Sequence, residues 1–169
     1  MKLDNNEIDA IKELLSSTKN QKNPVLKTLF NKINHDSLSY TMYIDGAADL
    51  HSKTSGIGGV IYKEGKEIFT FSEYLDDSTN NEAEYSALIY GVKSLLKLSI
   101  LNAVIYSDSE LVVKQINGDY KVKNDRMKKL YSNARSLLSN FHKWSLVHVL
   151  RDKNTVADRL ATNGRLKKN

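Results

Sequence analysis

Two apolar runs in this sequence end in an acid: Tyr40-Thr41-Met42-Tyr43-Ile44-Asp45-Gly46 and Asn102-Ala103-Val104-Ile105-Tyr106-Ser107-Asp108. In the first, Met42 and Ile44 alternate with Thr41, Tyr43 and Asp45, and β-branched and aromatic residues dominate, which is the chemistry of a strand. The second is nearly continuous in apolar residues, as expected of a strand covered on both faces. A carboxylate at the end of a buried strand needs a partner once it leaves water. Asp-Gly is also ordinary turn chemistry, so Asp45 alone decides little; three later acids decide.

Between the two runs, residues 46–59 read as a polar segment with glycines at 46, 56, 58 and 59, which permit positive φ and close backbone approach. Val60-Ile61-Tyr62 reads as a strand, Glu64-Gly65-Lys66 as a turn and Glu67 to Leu75 as a third strand, giving an antiparallel meander. A helix follows, capped by Thr79 or Asn80, with Glu84, Ala87, Leu88, Gly91, Val92, Leu95 and Leu96 on one stripe. Glu84 is the unusual member, an acid on the face that meets the sheet. Glu82 sits roughly 200° away around the helix and faces elsewhere.

After Asp108, Glu110 to Asn117 is expected as a short helix stopped by Gly118, and Asp125 to Asn140 as a longer one. Trp144 to Leu150 is the last strand, Arg151 to Asn154 turns the chain, and Thr155 to Thr162 is a final helix carrying Asp158 one turn in. His148 on that strand reads as structural. Residues 165–169 read as a basic, disordered tail. A strand–helix–strand unit makes the Asp108 strand parallel to the Asp45 strand, with both acid-bearing ends on one edge. The expectation is an α/β fold with a five-stranded mixed sheet, order 3-2-1-4-5, flanked by helices.

Residues 1–38 stand apart. Ile8, Ile11, Leu14 and Leu15 have helical spacing, as do Val25, Leu26, Leu29, Phe30 and Ile33, with Pro24 suited to a first turn. This predicts a helical hairpin over 1–38 preceding a catalytic domain over 39–169. The hairpin holds six basic and five acidic residues and one aromatic, Phe30. A segment that grips nucleic acid would interleave basic residues with stacking aromatics, so it reads as a packing or protein-partner appendage.

Asp45, Glu84, Asp108 and Asp158 thus gather at one sheet edge, where four carboxylates repel unless cations lie among them. Hard oxygen ligands favour magnesium or manganese. Two such ions roughly 3.5–4 Å apart suit phosphodiester hydrolysis. The net charge of +5 allows a nucleic-acid partner without requiring one. The absence of cysteine excludes disulfides and cysteine-ligated zinc and suits a reducing cytoplasm. No apolar run spans a membrane, and the N-terminus lacks a secretory pattern.

Four blocks now carry a resemblance. They are Tyr43-Ile44-Asp45-Gly46 with the glycines through Gly59, Thr79-Asn80-Asn81-Glu82-Ala83-Glu84-Tyr85, Ser107-Asp108-Ser109-Glu110 running to Gly118, and His148 to Asn154 continuing through Ala157-Asp158-Arg159-Leu160-Ala161. In this order and spacing they resemble type 1 ribonuclease H, in the compact form common in archaea and bacteria. The resemblance implies a monomer that hydrolyses the RNA strand of RNA–DNA hybrids, leaving 5′-phosphate and 3′-hydroxyl ends. It implies two Mg2+ ions, or Mn2+, held by Asp45, Glu84, Asp108 and Asp158 with the backbone of Gly46. It also implies substrate contacts from Asn80, Asn81, Glu110, Lys114 and Arg151.

Three departures from the family stand out. His51-Ser52-Lys53-Thr54 lacks the usual asparagine-proline-glycine segment, Arg151 stands where many relatives have a mobile histidine, and the basic handle between the middle helices is missing. Lys121, Lys123, Arg126, Lys128 and Lys129 are the remaining candidates for phosphate contact, or a solvated face. Two other readings compete. One is a non-catalytic scaffold that kept the fold; the full set of acids opposes it. The other is a transposase- or resolvase-like nuclease core; the Asn80-Asn81 pair and small size oppose it.

Overall fold

The computed structural model describes residues 5–17, 20, 22–27, 29 and 40–167. The chain divides into two compact units, residues 1–39 and 40–169.

In the first unit, α1 spans Asn5–Ser16. Its carbonyl at Leu14 accepts from Asn20 Nδ2 at 2.7 Å. Asn23 Oδ1 then accepts from the amide of Val25 at 2.9 Å, the usual N-cap geometry, and residues 24–27 form a helical turn. Much of the expected second helix, including Phe30 and Ile33, lies outside the described residues.

The second unit carries β1 (Tyr40–Asp49), β2 (Thr54–Lys63), β3 (Lys66–Leu75), α2 (Asn80–Lys97), β4 (Asn102–Ser107), α3 (Glu110–Asn117), α4 (Asp125–Leu138), β5 (Lys143–His148) and α5 (Thr155–Arg165), with a 3-10 turn at Arg151–Lys153 before α5. Strand order is β3-β2-β1-β4-β5, as expected. β1 pairs antiparallel with β2 and parallel with β4. The core lies between the sheet and the middle helices, where Met42, Ile44, Ile61, Leu88, Val92, Leu95, Ile105 and Leu138 are buried. Burying each such side chain contributes roughly 1.5–3 kcal/mol. Thr79 and Glu82 form a reciprocal capping box at the start of α2, which fixes where that helix begins.

The polar segment over 46–59, from which no strand was expected before Val60, is mostly strand. β1 runs on to Asp49 and β2 starts at Thr54, leaving only residues 50–53 as the turn. The glycines permit close packing. A Cβ on Gly58 would sit 2.2 Å from the amide nitrogen of Ala161, and one on Gly56 would sit 2.2 Å from that of Arg165. α5 therefore lies directly on the β2 backbone. On the α2 side, a Cβ on Gly46 would meet the Ala83 carbonyl carbon at 2.3 Å.

Three further expectations are corrected. β5 ends at His148, so Val149 and Leu150 lead into the turn. Val104 and Tyr106 are only half-buried, so β4 is fully covered on one face alone; Tyr106 stacks on Tyr43 with ring centroids 4.7 Å apart. The basic tail is ordered through Lys167: Arg165 pairs with Asp49 at 2.7 Å and Lys167 Nζ donates to the Ser72 carbonyl at 2.5 Å. Residues 168–169 lie outside the described residues.

Candidate active site

β1 delivers Asp45 opposite Gly58 of β2, and Asp108 follows the last residue of the parallel strand β4. Glu84 lies in the first turns of α2, on the sheet-facing side, and is buried; Glu82 instead closes the capping box. One carboxylate oxygen from each of Asp45, Glu84 and Asp108 lies within 4.8 Å of the others. The Gly46 amide donates to Glu84 Oε2 at 3.2 Å.

Burial raises the Asp45 carboxyl to about 7, helped by the charges of Asp108 and Asp158 and opposed by Arg151. Burial raises Glu84 to about 9, with Asp45 and Asp108 adding repulsion and the Gly46 amide opposing it. Carboxyls held this far up prefer a proton to an ion unless a cation joins them. The donor set, oxygen only and drawn from three carboxylates, fits a hard divalent cation.

Asp158 reaches the same neighbourhood from α5 but is engaged differently. Its Oδ1 accepts from Arg151 Nη2 at 2.5 Å, and Arg151 is largely exposed. The fourth acid is thus close enough to act on Asp45 while its oxygen is turned to a counter-ion.

Asp45, Glu84 and Asp108 line an open cleft of about 920 Å³ whose walls include Asn80, Ser109, His148, Arg151 and Arg165, with His51 on the turn after β1. His148, expected to be structural, is exposed on the cleft wall, where β5 ends. Asn81 lies beyond the cleft, in a second groove shared with Lys121, Lys123 and Arg126. The N-caps Thr79 of α2 and Asn124 of α4 both border that groove. Glu110 and Lys114 pair with each other at 2.6 Å, and neither lines the acid cleft.

Asn154, read from sequence only as part of a turn, is the functional candidate that was missed. It is buried against the acids and donates to Asp108 Oδ1 at 2.8 Å and to the Ile44 carbonyl at 2.9 Å. The sequence signal available was an asparagine immediately ahead of the last helix, which by itself suggests only a cap.

The reverse transcriptase-like family matches residues 43–164. The ribonuclease HI of Halobacterium salinarum is 32% identical over 120 residues, covering 70% of this chain and 60% of the relative. A bifunctional protein of Mycobacterium tuberculosis is 36% identical over 121 residues, covering 70% of this chain and 33% of that protein. The chain spans about a third of the length of the first curated relatives it matches. The crystal structure of RNase H1 from Halobacterium salinarum superposes with a TM-score of 0.71 at 30% identity, covering 74% of this chain and 96% of that one. LC11-RNase H1, solved in complex with an RNA/DNA hybrid, also gives 0.71, at 32% identity over 76% and 97% of the two chains.

Proposed function

The chain belongs to the reverse transcriptase-like family, with ribonuclease H1 proteins among its relatives, and we propose that it hydrolyses the RNA strand of RNA–DNA hybrids. The observation that carries this is the meeting of Asp45, Glu84 and Asp108 within 4.8 Å, in a cleft open enough for a nucleic-acid strand.

Asp45, Glu84 and Asp108 would hold divalent cations, with Asp158 joining once Arg151 turns away and the backbone of Gly46 supporting the cluster. Bound there, Mg2+ or Mn2+ would neutralise the carboxylates, activate a water and stabilise the leaving oxygen. Water adds to phosphorus while the bond to the 3′ oxygen breaks and that oxygen takes up a proton. The products are a 3′-hydroxyl and a 5′-phosphate.

The rest of the chain orients the duplex. Arg151, exposed at the cleft mouth, is placed to exchange Asp158 for a backbone phosphate. Asn80 on the cleft wall and Asn81 in the second groove offer amides that donate and accept, so they suit a ribose hydroxyl and a groove edge. Lys121, Lys123 and Arg126, beside two helix N-termini, suit a phosphate on the far strand. Residues 1–38 form an extension that contributes no group to the chemistry and is available to a protein partner.

The test is cleavage of a hybrid labelled on its RNA strand, beside matching DNA duplex and single-stranded DNA, each with Mg2+, Mn2+ or chelator. Metal-dependent cutting of the hybrid alone is expected. Equal cutting of DNA duplex would point to a broader nuclease, and no cutting with either metal would point to a scaffold.

A further inference from the structure

Asn154 occupies the N-cap position of α5, where an asparagine ordinarily turns its oxygen toward a first-turn amide, yet it makes no such bond. It is 1% exposed. Its Nδ2 instead donates to the Ile44 carbonyl at 2.9 Å and to Asp108 Oδ1 at 2.8 Å, across 110 and 46 residues of chain. Its Oδ1 is buried without a hydrogen-bond partner among the described residues. The amide cannot be turned over to relieve this, because both neighbours of Nδ2 are acceptors and would then face an oxygen. The chain forgoes a cap and leaves an acceptor unmet to keep this donor on Asp108. Such departures from local preference gather at functional sites.

The main chain of Asn154 is tied to the same place. Its N–H donates to the Arg151 carbonyl at 3.0 Å, and its carbonyl accepts from the Asp158 N–H at 3.0 Å. Ile44 directly precedes Asp45. One residue therefore joins the segments that carry Asp45, Asp108, Arg151 and Asp158.

We propose that Asn154 is a positioning residue: it fixes the rotation of the Asp108 carboxylate, and the distance between the Asp45 and Asp108 segments, for cation binding. The assignment rests on reading the acids as a metal site. By occupying Asp108 Oδ1, the amide holds that carboxylate in the rotation that keeps an oxygen within 4.8 Å of those of Asp45 and Glu84. It acts through Asp108 and touches no reacting atom.

The experiment is calorimetric titration of the full chain with MnCl2 in the absence of nucleic acid, followed by hybrid cleavage. Asn154→Ala is expected to weaken Mn2+ binding about tenfold or more and to lower kcat, while KM for hybrid stays within about threefold. Ser72→Ala is the control. It removes another long-range tether of α5, the 2.8 Å bond from Ser72 Oγ to the Leu160 carbonyl, and should lower thermal stability with Mn2+ affinity unchanged. If Asn154→Ala loses stability like the control but binds Mn2+ as the wild type does, Asn154 is only structural and the assignment is overturned. Should the alanine variant not fold, Asn154→Ser replaces it. Its short hydroxyl cannot serve both Ile44 and Asp108, so weakened Mn2+ binding supports the role and wild-type affinity overturns it. Wild-type protein that takes up no Mn2+ sinks the metal-site reading and this assignment together. Wild-type protein that binds and cuts, beside a variant that does both equally well, sinks the assignment alone.

Discussion

The amide of Gly46 donates to Glu84 Oε2 at 3.2 Å, a bond that spans 38 residues and joins β1 to α2. It forms only because residue 46 has no side chain: a Cβ there would lie 2.3 Å from the Glu84 nitrogen. The glycine beside Asp45 is therefore the seat on which the second acid's helix rests. Its turn propensity is unused, since β1 continues past it.

Asp108→Asn should lower hybrid cleavage by about 10³-fold or more while keeping the fold. The carboxamide oxygen can still accept from Asn154, and its NH2 can donate to Asp45, replacing repulsion with a hydrogen bond. Stability without metal should rise by about 0.5–1 kcal/mol. Chemical denaturation in chelator, beside a turnover assay, checks both; wild-type turnover would refute the role of Asp108.

Asp45 near 7 and Glu84 near 9 both lie above the ordinary carboxylate range. The folded protein therefore holds protons that the unfolded chain releases. The stability this contributes is fully present below about pH 4 and is lost as pH rises through 7 and then 9. In chelator, Tm should fall from pH 5 to pH 9, on the order of 5 °C, and the slope should flatten in Asp45→Asn with Glu84→Gln. The rise in Tm on adding Mg2+ should grow over the same window, because the cation replaces those protons. An equal slope in the double variant would contradict this origin.

Replacing Asn80 and Asn81 by alanine should weaken hybrid binding about tenfold and leave Mn2+ affinity unchanged, since both side chains are exposed. Fluorescence anisotropy with labelled hybrid, paired with metal titration, separates the two effects. Unchanged hybrid affinity would remove the asparagines from the substrate surface.

Gly58→Ala should destabilise the protein by about 3 kcal/mol or more, because the new Cβ would lie 2.2 Å from the Ala161 nitrogen. The helix that carries Asp158 would be pushed off the sheet, so cleavage should fall as well. A urea midpoint equal to wild type would mean that α5 does not sit as described.

Removing residues 1–38 should leave cleavage at low salt mostly intact, because the segment is close to neutral and holds none of the four acids. A truncated protein that folds but cannot cut would make the extension part of the site.

Periodicity made much of this legible. The alternation at Met42 and Ile44, the apolar run before Asp108 and the stripe containing Glu84 each depend on neighbours within two turns of chain. From these, strand order and the meeting of three acids followed. The glycines at 56 and 58 announced a close backbone approach but not its partner, because the helix they meet, α5, lies about a hundred residues away. Asn154 was hidden for the same reason: both acceptors of its amide are remote in sequence. The engagement of Asp158 by Arg151 depends on rotamers, about which spacing is silent.

α5 also has a consequence in time. A polypeptide emerging from the ribosome and still short of Thr155 lacks the fourth acid, the Asn154 side chain has no helix behind it, and the β2 backbone at Gly56 and Gly58 is uncovered. The pairing of β4 with β1 and β5 already sets the register of the Asp108 strand, but the β2 face that α5 covers is still open. The face of the sheet at Gly56 and Gly58 is therefore the last to be closed, once synthesis has passed the final helix.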